Sequence, residues 1–278
     1  NKVKDTEKPT VVHIHTLKGK GYEPAVADKE TYHWTLPNFV ENYGKPQPKV
    51  ETYTSITNDY LVDKVQKDNS VIVVSAATPG ATGLTKEVRD KLGKNYTDVG
   101  IAEQHAVGYV SGLASNGAKP VFEVLSSFLQ RSYDQLSQDL AINNAPATIL
   151  VFWGGISNAD VTHLQVFDIP LISNIPNIVY LAPTNKEEYL AMLDWSVEQD
   201  KYPVVIRVPM TELTSTGVAD KTNYAKLNKF KITDKGEQVA IIGVGNFYEL
   251  GKQVQEKLEQ EIGVKATLIN PVYLTGID

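Results

Sequence analysis

Apolar runs of strand length alternate with amphipathic stretches of helical length along most of the chain. Residues 57–67 carry helical spacing and lead into the run VIVVSA at 71–76, which stops at the loop TPGATG. The succession then repeats, with strands predicted at 96–99, 119–124, 147–152, 178–182 and 204–207 and helices at 101–116, 128–143 and 186–198. Strands joined by helical crossovers must run parallel, and a parallel sheet needs helices on both faces. The pattern therefore predicts an α/β fold with a doubly wound parallel sheet. Ahead of this region, alternation at 11–16 predicts one more strand, followed by the turn LKGKGYEPA and a polar stretch to about residue 55. Behind it, a polar connection at 209–229 precedes a strand at 238–243, a helix at 247–261 with Leu250, Val254 and Leu258 on one face, and a strand at 266–269. That last stretch reads as the unfinished start of a second α/β domain. The expected boundaries are 1–50, 51–210, 211–232 and 233–278.

Composition narrows the picture. The chain has 278 residues, with 42% hydrophobic and 22% charged positions, which excludes disordered and coiled-coil classes. Zero cysteines exclude disulfide scaffolds, thiolate zinc sites, iron–sulfur clusters and a cysteine nucleophile. Lys and Arg number 27 against 33 Asp and Glu, a formal charge of −6, which argues against nucleic acid as a partner because phosphate neutralisation needs a basic face. The longest apolar run, 147–153, is too short for a membrane span, and the opening NKVKDTEKPT lacks the apolar core of a signal peptide. The chain starts at Asn1 and stops just after a strand-like segment, so it is expected to be a piece of a longer, cytoplasmic protein.

Candidate chemistry is sparse by motif. Gly243-Val-Gly245 follows a strand but lacks the third glycine of a dinucleotide fingerprint, so it reads as a strand-to-helix turn. Gly19 and Gly21, flanked by Lys18 and Lys20, suit either an anion contact or a solvated turn. His13 and His15 would share one face of a strand, without a third ligand at recognisable spacing. His33 and His163 are lone loop histidines. Glu103 stands out: it opens a helix, and Ala106, Val107 and Val110 follow at spacings of three, four and seven on its own face. One reading is a carboxylate complementing the helix dipole; the other is a desolvated carboxylate able to hold or relay a proton.

The segment DVGIAEQHA at 98–106 resembles the signature helix of the pyrimidine-binding domain in thiamine diphosphate enzymes. SAATPGATGL at 75–84, SSFLQRSYDQ at 126–135, the opening KPTVVHIHTLKGKGYEPAVAD with Tyr32 and His33, ADVTH at 159–163 and IPNIVYLAPTNKEEYLAML at 175–193 resemble the 1-deoxy-D-xylulose 5-phosphate synthases of the transketolase superfamily. The resemblance spans nearly the whole chain and implies thiamine diphosphate as cofactor. Glu103 would then bond the cofactor's pyrimidine nitrogen and assist proton removal, Phe128 would stack on the pyrimidine, and Arg131 and Thr82 would line the same pocket. His163 and His33 would stand beside small-molecule substrates, with Asp160 lining their pocket. The expected reaction moves a two-carbon unit from pyruvate or a similar donor to an aldehyde, in a homodimer.

Resemblance also implies what lies elsewhere. The family's GlyAspGly and downstream asparagine, which hold the diphosphate and its magnesium, do not occur in this sequence. Residues 1–50 would be the tail of that earlier domain and its linker. Two arginines that grip the acceptor's phosphate in the family correspond to Phe152 and Met210, and a frequent tyrosine to Leu125. With Trp153 adjacent, this corner is expected to be aromatic and to favour an unphosphorylated acceptor. Two alternatives share the helix pattern: the beta subunit of a 2-oxo acid dehydrogenase, which has no reason to carry the KGKGY tail, and a non-catalytic interaction module of the same fold.

Overall fold

Short-range chemistry starts and stops the helices where the periodicity asks for them. In a computed structural model, which describes residues 2–33, 50–156, 163, 166–276 and 278, the chain divides into two compact units, 1–49 and 50–278. The first unit carries the short helix α1 (Glu23–Ala27), with proline in its first turn, and a 3-10 turn at Thr31–His33. Predicted strand 11–16 is not formed: those residues are exposed and lack strand structure. The alternation is there, but a strand holds only where a neighbour takes up its backbone groups, and none does among the described residues.

In the second unit, α2 (Tyr53–Lys67) begins with a reciprocal capping box between Thr52 and Ser55. There follow β1 (Val71–Ser75), α3 (Lys86–Leu92), β2 (Tyr96–Asp98), α4 (Glu103–Ser115) and β3 (Lys119–Leu125). The helix predicted over 128–143 is instead a string of short pieces: α5 (Ser126–Leu129), a 3-10 turn (Gln130–Ser132), α6 (Tyr133–Gln135) and a π-helical stretch (Leu136–Ala141). After β4 (Thr148–Phe152) come α7 (Asp168–Ser173), β5 (Val179–Leu181), α8 (Lys186–Glu198), capped by Asn185, and β6 (Val204–Val208). Periodicity did not predict α3 or α7, each too short to show a repeat.

Six strands form one fully parallel sheet in the order β2-β1-β3-β4-β6-β5. Alternate side chains of β1 and β3 face opposite cores, Val71, Val73, Val121 and Leu125 toward α2 and α8, Val74, Phe122 and Val124 toward α4. Helices cover both faces, as the doubly wound reading requires. A second sheet of three strands, β7 (Lys231–Asp234), β8 (Val239–Ile242) and β9 (Ala266–Asn270), is mixed, with β7 antiparallel to β9 and β8 parallel to it. Helix α9 (Tyr248–Ile262) packs on it, with Gly251 of the helix close to Ile241 and Leu268. Backbone bonds from Ala182 to Val272 and from Leu274 to Tyr180 join this sheet to the end of β5. Among the described residues no helix is long and apolar enough to cross a membrane.

Candidate active site at the carboxyl edge of the sheet

The chain leaves β1 for β2 on one side and returns to β3 on the other. In parallel sheets such a switch point opens a crevice outside the carboxyl ends of the strands, where ligands bind. Register aligns Asp98 of β2, Ser75 of β1 and Glu123 of β3 in one row at this edge. The loops that leave these three strands carry SAATPGATGL, DVGIAEQHA and SSFLQRSYDQ.

Asp98 ties the loops together. Its Oδ1 accepts from the backbone N–H of Ala77 at 3.0 Å and of Gly100 at 2.8 Å. Two residues with left-handed backbone, Ala77 and Gly100, are thereby held on either side of the crevice. Glu103 follows as the first residue of α4 and is 2% exposed, with Ala106, Val107 and Val110 sealed beneath it. Glu103 is thus both a first-turn carboxylate of α4 and a buried one. Arg131 brings Nη1 to 2.9 Å from Glu103 Oε2, yet the approach lies outside hydrogen-bond geometry, so that oxygen has a charge partner and no hydrogen-bond partner among the described residues.

Four hydroxyls on the same loops, those of Thr78, Ser126, Ser127 and Ser132, are also buried without a hydrogen-bond partner among the described residues. Buried polar atoms are normally bonded, so a group of unmet ones at a switch point is uncommon. Phe128, half-buried, stands one helical turn from Arg131 and packs against both cores. Its ring centroid lies 5.3 Å from that of His163, and His163 lies 6.0 Å from Trp153, edge to face. Glu103, Arg131, Phe128, His163 and Trp153 thus form a continuous arc.

The other predicted residues lie as follows. Thr82 is buried behind the first loop, its backbone N–H bonded to Thr78. Phe152 is sealed in the core beside Leu125, its partner in register, while its neighbour Trp153 faces the arc. Met210 is exposed just after β6. Asp160 lies outside the described residues. His33 belongs to the first unit, where its Nδ1 stands 2.5 Å from Lys18 Nζ. The ring centroids of His13 and His15 lie 4.1 Å apart with the planes tilted by 34°, and no cluster of three metal-ligating side chains occurs among the described residues. A Cβ on Gly243 would fall 2.6 Å from Tyr248 Cα, which explains that glycine by close packing at the strand-to-helix turn.

Three buried ionisable groups escaped the sequence reading. Glu123 is fully buried, and burial pushes its carboxyl up to about 8, the nearby Thr82 hydroxyl offsetting only part of the shift. Neither Glu123 oxygen has a well-formed hydrogen bond in the chain. Asp168 and Arg207 form a buried ion pair, with Nε to Oδ2 at 2.5 Å and Nη2 to Oδ1 at 3.2 Å. Burial alone would lower the Arg207 guanidinium, but the Asp168 bonds outweigh it and hold it raised. The signal for Glu123 was a lone acid inside an apolar strand pattern; for Asp168 and Arg207 no local signal existed.

Residues 50–215 match the family model described as the transketolase pyrimidine binding domain. The chain is 35% identical to a 1-deoxy-D-xylulose-5-phosphate synthase of Natranaerobius thermophilus, covering 100% of this chain and 44% of that protein. It is 33% identical to another of Clostridium botulinum, with the same coverage. It therefore spans less than half the length of these curated relatives. Among solved structures, a split-gene transketolase in an inactive beta4 tetramer aligns at TM-score 0.66 and 19% identity, covering 81% of this chain and 72% of that one. A transketolase variant from Pichia stipitis aligns at TM-score 0.69 and 18% identity, covering 82% and 36%. The two solved structures share the fold.

Proposed function

Because the chain belongs to the family of the transketolase pyrimidine binding domain, we propose that it forms the pyrimidine-holding part of a thiamine diphosphate-dependent transferase. The reaction in this reading is of the 1-deoxy-D-xylulose-5-phosphate synthase kind: a two-carbon unit passes from pyruvate or a similar donor to an aldehyde. The observation that carries it is the sealed Glu103 carboxylate with an unbonded Oε2, beside a half-buried aromatic ring and four unmet hydroxyls. A flat, nitrogen-bearing ring fits that set of groups, because it can stack on Phe128 while a protonated ring nitrogen donates a hydrogen bond to Glu103 Oε2. When bound, thiamine diphosphate supplies the nucleophilic carbon that captures the two-carbon unit.

The chain's own residues then have separate duties. Glu103 Oε2 holds and returns a proton at the pyrimidine edge, and burial keeps water from competing for it. Arg131, half-exposed, balances the carboxylate charge without occupying its hydrogen-bonding position. Phe128 fixes the plane of the ring. His163 and Trp153 continue the wall toward the acceptor, offering one ring nitrogen edge and an aromatic surface. Neither Phe152, sealed in the core, nor Met210 offers a guanidinium to a phosphate, which supports an unphosphorylated acceptor. His33, Asp160, the magnesium and the diphosphate ligands, a homodimeric state and a cytoplasmic location complete this reading; the diphosphate grip is assigned outside this chain's arc.

Calorimetric titration of thiamine diphosphate with magnesium tests it, using both this chain and the complete protein that carries it. The expected result is tight binding to the complete protein, weak or no binding to the chain alone, and loss of turnover in Glu103→Gln. Unchanged turnover in Glu103→Gln would overturn the role given to Glu103, and biological activity that persists in the variant without any turnover would favour a non-catalytic module. Efficient use of glyceraldehyde 3-phosphate at low KM would overturn the unphosphorylated acceptor.

A further inference from the structure

Behind the acceptor end of the arc, the turn 153–155 that carries Trp153 has an unusual support. Trp153 has a left-handed backbone, φ +61°, which a bulky residue adopts only when its surroundings hold it there. The next residue, Gly154, leaves no room for a side chain: a Cβ would sit 2.4 Å from Arg207 Cγ and 3.1 Å from Arg207 Nε. At Gly155, φ +126°, the corresponding position is 3.7 Å from Arg207 Nη1 and 3.4 Å from Asn246 Oδ1. The turn thus runs along the Arg207 side chain from Cγ to Nη1.

Arg207 is itself held from the far side. It projects from β6 on the face that also carries Val205 and Tyr180, where Asp168 at the start of α7 meets it with both carboxylate oxygens. The Tyr180 hydroxyl donates to Asp168 Oδ2 as well. The Asp168 side chain is fully sealed and Arg207 8% exposed. A two-point bond between a planar guanidinium and a carboxylate fixes orientation as well as distance, which a lysine at the same place would not do. β4, β6 and α7 are thereby locked together immediately behind the Trp153–His163 contact.

We propose that the Asp168–Arg207 pair, steadied by Tyr180, is a positioning element that sets Trp153 against His163 and so shapes the acceptor wall. Arg207 touches no substrate in this assignment; it acts through the turn that rests on it. The proposal deepens the transferase reading and rests on it for its kinetic consequence, whereas its structural consequence stands alone.

The test uses the complete protein with Arg207→Met, Arg207→Lys and Asp168→Asn. The structural readout is the indole N–H resonance of Trp153, identified by its loss in Trp153→Phe, with Trp195 in α8 as an internal reference. The expected result is a displaced or broadened Trp153 signal in all folded variants, with Trp195 unmoved. Where Arg207→Met does not fold, Arg207→Lys and Asp168→Asn, which keep the volume nearly unchanged, decide the matter. A Trp153 signal coincident with the parent protein's in those folded variants would overturn the proposal. The kinetic readout is a split: acceptor KM rises on the order of tenfold or more, as displaced walls cost productive geometry, while the donor-capture step stays within about twofold. Equal losses in both steps would overturn the acceptor assignment. If the parent protein captures no donor at all, the transferase reading fails, and the Trp153 signal still settles the positioning role.

Discussion

The Arg131 guanidinium stands 2.9 Å from the Glu103 carboxylate, half-exposed above a side chain almost sealed from water. The pair meets at the switch point of the sheet, where strand order leaves a crevice, and the carboxylate keeps an oxygen without a hydrogen-bond partner among the described residues. Such an arrangement serves a ligand better than it serves the fold, because a buried oxygen without a hydrogen-bond partner costs stability.

Glu103→Gln should therefore separate function from stability. Turnover in the complete protein is expected to fall by about a hundredfold or more, as for loss of a positioned proton-transfer group. The unfolding midpoint is expected to stay level or rise, since a neutral amide replaces a desolvated charge. Parallel thermal unfolding and steady-state assays check both; a large fall in midpoint would show that the carboxylate is structural.

Glu123 gives a pH signature with a definite sign. Its folded-state value is raised from 4.5 to about 8, so the native protein holds the proton that the unfolded chain releases. The stabilisation is complete below about 4.5 and is lost as pH rises toward 8. The slope approaches on the order of 1 kcal/mol for each pH unit. Glu123→Gln should remove that component, so urea midpoints measured from pH 5 to 9 should decline less in the variant than in the parent. Identical slopes would refute a buried, neutral Glu123.

Phe152 and Met210 should respond oppositely to the same substitution. Phe152 is 2% exposed, so Phe152→Arg buries an unpaired charge and should cost more than about 4 kcal/mol. Met210 is exposed, and Met210→Arg should change stability by about 0.5 kcal/mol or less. The second variant can then be assayed with phosphorylated and unphosphorylated aldehydes, and an improved ratio for the phosphorylated one is expected. Denaturant titration of both variants measures the first half of this prediction.

Glu188 joins the small sheet to the large one. Its carboxylate accepts from the Thr184 backbone at 3.0 Å, from Asn270 Nδ2 at 3.1 Å and from Lys231 Nζ at 2.7 Å. Glu188→Ala should cost about 3 kcal/mol, because a buried donor, a half-buried one and an ammonium lose their common acceptor. Combined with Asn270→Ala, the loss should be less than the sum of the single losses; strict additivity in a double-mutant cycle would mean that the contacts are independent.

Local pattern determined a good deal of this protein. Helix and strand alternation required a parallel sheet covered on both faces, and the spacing of Ala106, Val107 and Val110 behind Glu103 put that carboxylate on a buried face. Both follow from repeat lengths that a few consecutive residues already contain. The same reasoning failed at 11–16, where alternation existed without a neighbouring strand to bond, and over 128–143, where one expected helix is instead a succession of short pieces. Only the tertiary structure decided what depends on register and topology. It aligned Asp98, Ser75 and Glu123 in one row, buried Phe152 while turning Trp153 toward His163, and joined Asp168 to Arg207 across 39 residues. A carboxylate 39 positions from its guanidinium leaves no trace in any short window of sequence; the contact exists because β6 and α7 converge behind the same edge of the sheet.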